Sequence, residues 1–436
     1  MIQTIDLRGR TLSPAELLAA VPRSLTDVSA AMDVAAELIE DVRARGGAAL
    51  YDQAERLDRV RPDHIRVPAS HLTEALAQLT PEVRSAIDET IRRVRRASEA
   101  QVPPLRTTTI ADGARITQRW QPIDRVGLYV PGGKAVYPSS VVMNVVPAQV
   151  AGVAHIALAS PPQSHFGGRV HPTILAVAAL LGVDEVYAMG GAGAVGAFAY
   201  GVADLGLDPV QLVTGPGNVY VAAAKRLVRG QTGIDAEAGP TDILVIADSG
   251  ANPEFVAADL VSQAEHDELA AAVLVTDSVA LAQNVEARLR ELAASTTHSE
   301  RVTAALSGPQ SALVLVDDLA AAAAFSNAFG PEHLEIQTGD TDAVLANIRN
   351  AGAIFVGPHS PVSLGDYSAG SNHVLPTGGQ SRFSSGLGAY TFLRPQQVVH
   401  YDKNALREVA GNIAALSDAE ALPAHGDAVR ARFAGE

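Results

Sequence analysis

From residue 126 onward the chain alternates short apolar runs with apolar segments of helical spacing, and this alternation limits the folds open to it. The runs at 126–130, 156–159, 186–189 and 211–214 have the length of buried strands, and helices are predicted at 173–181 and 219–228. Continuously apolar strands are typical of parallel sheets that are covered on both faces. We therefore predict an α/β unit with a largely parallel sheet.

The same alternation resumes after Gly239 and Pro240. It predicts strands at 243–247, 273–276, 312–316 and 353–356, with helices at 253–269, 279–294 and 342–349. This second unit lacks a helical opening of its own, whereas the region before residue 101 is mainly helical, with helices predicted at 28–45 and after Pro81. We therefore expect the first unit to be inserted into the second.

The expected domains follow from this insertion. Residues 25–125 with 242–380 form a discontinuous α/β domain, and residues 126–241 form the inserted α/β domain. Residues 1–24 are expected to be an N-terminal arm with a small helix starting at Ser13 and Pro14. Residues 381–436 are too few to fold alone, so we expect them to pack on another domain or another subunit.

Composition and charge narrow the classes of function. A chain of 436 residues with 47% apolar and 19% charged residues can bury large cores. Its net charge of -15, with basic residues scattered, argues against nucleic acid or an anionic membrane as a partner. One dense basic run is interpreted as a solvated helix face, with a docking patch as the alternative: Arg92, Arg93, Arg95 and Arg96.

Two further features of the sequence bear on location and chemistry. The N-terminus has no apolar core of signal-peptide length, and no later run is long enough to span a bilayer, so we expect a cytoplasmic protein. The sequence contains no cysteine, which excludes disulfides, thiolate metal sites and thiol nucleophiles.

An acid–base pair stands at the start of a predicted strand. Glu332 and His333 follow a Gly330–Pro331 turn and precede a short apolar alternation. Both side chains can take protons near neutral pH, and neighbours at a strand start point in different directions. The pair could therefore act on two sides of one substrate, which suits a two-stage reaction. A solvated strand edge with two polar residues is the alternative.

A second group of polar residues could bind a metal ion. Gln263 and His266 are three residues apart in a predicted amphipathic helix, so both can project from one face. Asp366, in a long glycine-rich loop, and His425 could add further donors. Oxygen and nitrogen donors without sulfur suit zinc or manganese. Because these residues are far apart in sequence, unrelated surface polar residues remain the alternative.

The segment from Gly191 to Gly196 literally matches the dinucleotide fingerprint and follows a predicted strand. Its glycines could let a pyrophosphate approach a helix N-terminus. A helix of small residues packed closely on a sheet would show the same pattern, and neither Asp204 nor Asp208 lies at a strand end, where a ribose-binding carboxylate belongs. The turns at 129–133 and 214–218 are competing phosphate sites.

Taken together, these stretches resemble the histidinol dehydrogenase family over nearly the whole chain. The shared stretches occur in family order: VGLYVPGG, VMNVVPAQVAGV, TGPGN, AGPTDILVIAD, SQAEHD, EHLEI, AGAIFVG, GDYSAGSNHVLPT and LPAHG. The resemblance implies two incomplete Rossmann-like units with helical terminal arms in an intertwined homodimer, whose C-terminal arm reaches the partner's site. It also implies zinc-dependent, NAD-linked oxidation of L-histidinol through L-histidinal to L-histidine, the final steps of histidine biosynthesis.

The resemblance also implies roles for individual residues. Glu332 and His333 would be the proton acceptors, with His333 assisting alcohol deprotonation and Glu332 helping to activate water on the aldehyde. One zinc ion per subunit would be held by Gln263, His266, Asp366 and His425. These four residues and His333 would also contact substrate, together with Thr241, His373 and Glu420. NAD contacts would fall at Tyr129, Gly193 and Asn218.

One departure concerns the cofactor. Where the family's glutamine is expected, in a stretch like MGGAQA, this chain has Gly193. That change creates the fingerprint match and leaves the NAD contact at this position open. Two other readings of the chain also stay open: a dehydrogenase acting on another small polyol or sulfonated alcohol, and a zinc hydrolase with Glu332 as its base.

Overall fold

The structure is a computed structural model that describes residues 2–23, 28–132, 136–237 and 239–435. Its strands are β1 (Gln3–Asp6), β2 (Arg106–Ala111), β3 (Ala114–Pro122), β4 (Arg125–Tyr129), β5 (His155–Ser160), β6 (Glu185–Ala188), β7 (Leu212–Thr214), β8 (Gly233–Ile234), β9 (Asp242–Ala247), β10 (Ala271–Thr276), β11 (Ala312–Leu315), β12 (His333–Gln337), β13 (Ala353–Val356) and β14 (Leu393–Tyr401).

The α-helices are α1 (Pro14–Ala20), α2 (Val28–Arg45), α3 (Gly47–Gln53), α4 (Ala69–Gln78), α5 (Pro81–Gln101), α6 (Pro138–Ala151), α7 (Pro172–Leu180), α8 (Gly191–Tyr200), α9 (Val219–Val228), α10 (Pro253–Ala264), α11 (Val279–Ser295), α12 (Ser299–Ser307), α13 (Leu319–Phe329), α14 (Thr341–Leu345), α15 (Val362–Tyr367), α16 (Lys403–Ala419) and α17 (Pro423–Arg430). No helix in the described ranges is long and apolar enough to cross a membrane.

Two parallel sheets form the body of the protein, as the apolar alternation predicts. One has the strand order β6-β5-β4-β7-β8 and the other has the order β1-β11-β10-β9-β12-β13. All pairings in both sheets are parallel. Apart from β1, each sheet has five strands, which can be numbered 1 to 5 as they occur along the chain. Across each sheet these strands lie in the order 3-2-1-4-5. This is the order of a Rossmann unit, so the expected pair of Rossmann-like units is confirmed.

The strand order creates a point of reversal in each sheet, between β4 and β7 in one and between β9 and β12 in the other. Ligands of open α/β sheets bind in the crevice outside the carboxyl ends of the strands at such a point. In the five-stranded sheet, the chain leaves β4 and β7 through Pro131–Gly132 and Gly215–Asn218. The fold therefore offers a ligand crevice at the two turns that compete for phosphate in the sequence.

The terminal segments contain strands that the sequence analysis misses. β1 pairs in parallel with β11, with Gln3 opposite Ala312, so the N-terminal segment contributes more than the predicted helix α1. A third sheet, β14-β3-β2, is antiparallel and joins the C-terminal segment to residues 106–122. Most of the side chains on β2 and β14 are exposed and many are polar, so these strands carry no apolar run that would indicate them.

The helices of residues 28–101 pack differently from expectation. Buried Leu38 of α2 shares a core with Phe198 of α8, and Leu72 of α4 shares one with Val126 of β4. These helices therefore cover the five-stranded sheet, which corrects the expected grouping of residues 25–125 with 242–380. The second unit is completed instead by the N-terminal segment, which buries Ile2, Leu7 and Val21 against it. Because the faces of a parallel sheet are apolar, the five-stranded sheet requires these helices as cover.

Candidate active site

A cavity of about 520 Å³ lies where the two α/β units meet. Gly132 and Asn218 line it from the turns after β4 and β7, and Thr241, Glu332 and His333 line it from the amino ends of β9 and β12. His266, Asp366 and His373 also line its wall. The structure thus brings the predicted acid–base pair, two of the four predicted metal donors and one predicted cofactor residue to a single cavity.

The carboxyl group of Glu332 is fixed by reciprocal hydrogen bonds with Asp242. The Asp242 backbone N–H donates to Glu332 Oε2 over 3.1 Å, and the Glu332 backbone N–H donates to Asp242 Oδ1 over 2.7 Å. Thr241 Oγ1 donates to the same Glu332 oxygen over 2.5 Å. The side chain is therefore held in one orientation by the start of the neighbouring strand, which makes the alternative of a solvated strand edge untenable.

The same strand start fixes the tautomer of His333. His333 Nδ1 lies 3.0 Å from the backbone carbonyl oxygen of Asp242. A carbonyl oxygen can only accept, so Nδ1 carries the proton and Nε2 of the neutral ring is free to accept one. The imidazole is buried except for the surface that lines the cavity. His333 is thus preorganised as a base through Nε2.

Burial tunes the acidity of Glu332 toward neutrality. Removal from water raises the pKa of its carboxyl group to about 7, and the nearby Asp242 raises it as well, while His333 and the hydrogen bond from Thr241 act in the opposite direction. A general base works best when its pKa lies near the operating pH. Glu332 can therefore both accept and return a proton near pH 7.

Three predicted metal donors lie at or next to the cavity: His266 and Asp366 line its wall, and Gln263 is hydrogen bonded to Thr241, which also lines it. Gln263 is 1% exposed and donates through Nε2 to Thr241 Oγ1 over 2.6 Å, while its Oε1 has no hydrogen-bond partner among the residues that the structure describes. A buried amide oxygen without a donor suits a cation, and His266 and Asp366 line the wall beside it. The donor set, two oxygens and one imidazole nitrogen, fits zinc with coordination positions left open.

The predicted helix around Gln263 and His266 needs one correction. α10 ends at Ala264, and His266 lies beyond it in a turn in which its N–H donates to the Gln263 carbonyl oxygen over 3.2 Å. Their convergence therefore comes from this turn rather than from helical i,i+3 spacing. Among the described residues, no cluster of three or more His, Cys, Asp or Glu side chains could hold a metal ion by itself.

His373 is held between the two units by hydrogen bonds. Its Nε2 lies 3.0 Å from Ser140 Oγ on α6, and its Nδ1 lies 3.1 Å from the Asp366 backbone carbonyl oxygen. Burial lowers the pKa of this imidazole. Since Nδ1 must donate to a carbonyl oxygen, Nε2 accepts from the Ser140 hydroxyl. The sequence analysis misses Ser140, although it lies two residues before the stretch VMNVVPAQVAGV.

Of the predicted cofactor residues, only Asn218 lines the cavity, where it also caps α9 by accepting the N–H groups of Tyr220 and Val221. Tyr129 is buried at the end of β4, and its hydroxyl accepts the Gly191 N–H over 3.3 Å. Gly193 is buried inside α8, where an added Cβ would lie 2.1 Å from Gln53 Oε1. A glycine here lets α8 pack against α3, which favours the packing interpretation of the fingerprint.

Comparisons with known proteins bear on the whole chain. A family model described as histidinol dehydrogenase matches residues 21–433. The histidinol dehydrogenase of Leifsonia xyli subsp. xyli is 69% identical over 432 residues and that of Thermobifida fusca is 58% identical over 436, each alignment covering at least 98% of both chains. The chain belongs to the histidinol dehydrogenase family.

The solved structure of the histidinol dehydrogenase from Elizabethkingia anophelis agrees with this fold. It matches with a TM-score of 0.93 at 31% identity, and the match covers 99% of this chain and 98% of that one. Membership in the histidinol dehydrogenase family makes this protein an oxidoreductase.

Two residues implied by the family resemblance lie away from the cavity in this chain. Glu420 follows α16 and His425 lies on α17, and both are exposed. Neither is among the residues that line the cavity. The roles predicted for them within the histidinol dehydrogenase family stay predictions.

Asp242 and Arg23 are the principal site residues that sequence reasoning misses. Asp242 belongs to the quoted stretch AGPTDILVIAD and contacts both Glu332 and His333 through hydrogen bonds. It is an aspartate in an otherwise apolar strand, which is a usable signal of a buried polar role. Arg23, which is paired with Asp242, lies 219 residues away in the sequence, and nothing in its local sequence indicates this contact.

Proposed function

We propose that the protein oxidises L-histidinol through L-histidinal to L-histidine and reduces two NAD. The observation that carries this proposal is the pair of preorganised proton acceptors in one cavity, Glu332 with a pKa near 7 and His333 with a free Nε2. A four-electron oxidation needs one base for the alcohol and one for the water that adds to the aldehyde. The names of the relatives supply the substrate.

In the first oxidation, the alcohol loses a proton from oxygen and a hydride from carbon. His333 Nε2 is the acceptor for the proton, because its Nδ1–H is committed to the Asp242 carbonyl oxygen. That hydrogen bond also stabilises the imidazolium that forms, as a fixed acceptor does for a catalytic histidine. The proton leaves the histidine before the second oxidation.

In the second oxidation, water adds to the aldehyde and the hydrate loses a second hydride. Glu332 accepts the proton from the attacking water, since it is anionic at and above its pKa of about 7. Thr241 and the Asp242 N–H hold its oxygen in place during transfer. The chain has no cysteine, so the aldehyde cannot be retained as a thiohemiacetal, and enclosure in the cavity has to retain it.

Zinc would be held by Gln263, His266 and Asp366, and when bound it would orient the substrate and polarise its oxygen. The buried Gln263 Oε1 without a partner supports this assignment. NAD would lie at the reversal point between β4 and β7, against the turns that contain Gly132 and Asn218, and when bound it would accept the hydride.

We further propose that the fourth zinc ligand comes from a second copy of the chain. His425 and Glu420 lie on a C-terminal arm, α16 and α17, whose helices pack on each other and leave Leu416 65% exposed. Exposed apolar side chains on an extended arm are typical of a surface that docks on a partner. An exchanged arm would bring both residues to the partner's cavity and form a homodimer with shared sites.

The test is the number of NADH formed per L-histidinol consumed by purified, zinc-loaded protein, with a chelated sample as the control. We expect two NADH per substrate and loss of turnover after chelation. Absence of NADH from folded, zinc-loaded protein would overturn the proposal. Assays with other small alcohols and with hydrolysable compounds would then distinguish a dehydrogenase with another substrate from a zinc hydrolase.

A further inference from the structure

A buried ion pair lies directly behind the Glu332–His333 pair. Arg23 follows α1, and its guanidinium group contacts Asp242 Oδ2 over 3.0 Å. The two side chains are 8% and 4% exposed. Arg23 does not line the cavity, so it cannot touch a substrate bound there.

Asp242 connects this arginine to both proton acceptors. Its Oδ1 accepts the Glu332 N–H, its N–H donates to the Glu332 carboxyl group, and its carbonyl oxygen accepts the His333 Nδ1–H. One carboxylate oxygen thus binds the strand start that carries the acid–base pair, while the other binds Arg23. The Asp242 backbone thus bonds the side chains of Glu332 and His333, and its carboxylate bonds the Glu332 N–H.

Arg23 is itself held by two further contacts on the same loop. A second guanidinium nitrogen donates to the Gly330 backbone carbonyl oxygen over 3.1 Å, and the guanidinium carbon lies 4.0 Å from the centre of the Phe329 ring. Both residues directly precede Pro331 and Glu332 in the chain. The arginine therefore ties the start of β9 to the loop that enters β12.

We infer that Arg23 is a positioning residue for the oxidation, acting through Asp242 on Glu332 and His333. The inference rests on the proposed function. It adds a residue from the N-terminal segment to a site whose acid–base pair is held by Asp242, 219 residues later in the chain. The planar fork of arginine can bind a carboxylate and a carbonyl oxygen together, which the single ammonium group of lysine cannot do as well.

The physical reason is the cost of an isolated buried charge. Asp242 is removed from water, and burial raises its pKa against the opposing effects of Arg23 and of the Glu332 N–H. Without a cation, the carboxylate would have to move toward water or take a proton, and either change disturbs its hydrogen bonds to the strand start. The other charged or titratable groups that influence this pair are Arg382, Glu332 and His333.

The decisive variant is Arg23→Met, which keeps the length of the side chain and removes its charge. We expect kcat to fall about tenfold to a hundredfold with KM for L-histidinol changed less than about twofold, because small misplacement of catalytic groups has effects of this size. Arg23→Lys should recover kcat to within about fivefold of wild type, since the charge returns without the full fork. Arg8→Met is the matched control, because Arg8 forms an exposed pair with Asp6 in the same segment.

A double-mutant cycle with Glu332→Gln separates positioning from a structural role. If Arg23 acts through the acid–base pair, Arg23→Met should slow the Glu332→Gln enzyme much less than it slows wild type, since effects on one catalytic unit are not additive. Equal effects in both backgrounds, or an unchanged kcat in folded Arg23→Met, would overturn the inference. Inactive wild-type protein would instead overturn the proposed function.

A further variant covers the case in which Arg23→Met does not fold. The double variant Arg23→Met with Asp242→Asn removes both charges, so no uncompensated charge is left buried. We expect this protein to fold, as judged by circular dichroism, and to keep the low kcat and unchanged KM of a misplaced acid–base pair. Wild-type kcat in this double variant would show that the ion pair does not position the site.

Discussion

Glu332 and His333 are held in place by different hydrogen bonds, so replacing each of them should change the enzyme in a different way. His333 is fixed by one hydrogen bond from its ring and does not belong to the proposed zinc set. Replacing His333 with Asn should therefore reduce kcat for L-histidinol by about a hundredfold or more while the zinc content stays at the wild-type level.

The measurement for this prediction pairs steady-state turnover with metal analysis of the same sample. His400→Asn is a suitable control, since His400 is exposed on β14 far along the chain from the site. Wild-type turnover in His333→Asn would remove His333 from the mechanism, and loss of zinc would mean that its role is structural.

The pKa of Glu332 predicts how the rate of L-histidinal oxidation depends on pH. Its pKa is raised from 4.5 to about 7 in the folded protein, so the basic form is lost as pH falls below about 7. The rate of L-histidinal oxidation should therefore decline on the acid side with an apparent pKa near that value. Glu332→Gln should lower this rate by about a hundredfold or more at pH 8.

This prediction is checked by supplying L-histidinal directly and measuring NADH between pH 5.5 and 8.5. The Glu332→Gln enzyme should lose the acid-side decline along with its rate, because the titrating group is gone. A wild-type profile that is flat across pH 7, or a variant that keeps the same decline, would assign the titration to a different group.

At the scale of elements, β12 and α10 are held together by a carboxyl pair outside the proposed mechanism. Glu335 on β12 is 1% exposed, and its carboxyl group neighbours that of Asp259 on α10. Burial, with the neighbouring Asp259, raises the Glu335 pKa from 4.5 to about 9, and burial raises the Asp259 pKa to about 6. The arginines that reach α10, Arg288 and Arg301, bind Glu254 and the Glu265 carbonyl oxygen at its ends.

The Glu335 pKa predicts how stability depends on pH. The unfolded chain releases the Glu335 proton near pH 4.5 and the folded protein only near 9, so this residue lowers the free energy of unfolding as pH rises between those values. Glu335→Gln is permanently neutral and should raise the free energy of unfolding at pH 8 by about 1–3 kcal/mol. At pH 4 the two proteins should be nearly equal.

Denaturant titrations at pH 4 and pH 8 measure this difference, with Glu99→Gln on the exposed face of α5 as the control. A variant that is less stable than wild type at pH 8 would mean that the ionised form of Glu335 stabilises the folded protein, contrary to the effect of burial.

The elements also explain what sequence reasoning can reach. The helix at 28–45 and the central parallel strands follow from apolar periodicity, which is local in sequence. The grouping of helices α2 to α5 with the five-stranded sheet depends on contacts between residues far apart in sequence, such as Leu38 with Phe198 and Leu72 with Val126, so no local pattern contains it. The strands β2 and β14 are largely exposed, which removes the periodic signal.

The candidate site divides in the same way. Glu332, His333, His266 and Asp366 are polar residues in short motifs, and motif likeness predicts their convergence before the cavity is seen. Arg23 and Asp242 act through a contact between distant segments, and only the folded chain reveals it. Gly193 is the opposite case, in which a local pattern misleads. It belongs to a match with the dinucleotide fingerprint, but close packing of its helix explains the glycine.

At the scale of the whole molecule, the C-terminal segment of the single chain leaves several large apolar side chains exposed. Val399 at the end of β14 is 63% exposed, Leu416 is 65% exposed and Leu422 is 44% exposed. Covering such a surface stabilises an assembly by roughly 25 cal/mol for each Å² of apolar area removed from water. A second copy of the chain that receives the arm would bury these apolar side chains. The same contact would complete the proposed metal site.

This arrangement predicts complementation between two inactive chains. His425→Asn removes the proposed ligand on the arm, and Gln263→Ala removes one in the cavity, so each homodimer should be nearly inactive. In a mixed dimer with exchanged arms, one of the two sites receives both intact residues, because the arm of the Gln263→Ala chain serves the cavity of the His425→Asn chain. Co-expression should therefore restore up to about half of the wild-type activity per mixed dimer.

The mixed dimers can be isolated with two different affinity tags and assayed for both zinc and turnover. One zinc ion per mixed dimer, with turnover, is the expected result, and a wild-type dimer that carries the same tags is the control. If the arm served its own chain, each mixed dimer would contain two incomplete sites and stay inactive. Such a result from a proven heterodimer would exclude sharing of the site, while leaving Glu332 and His333 available for the chemistry within one chain.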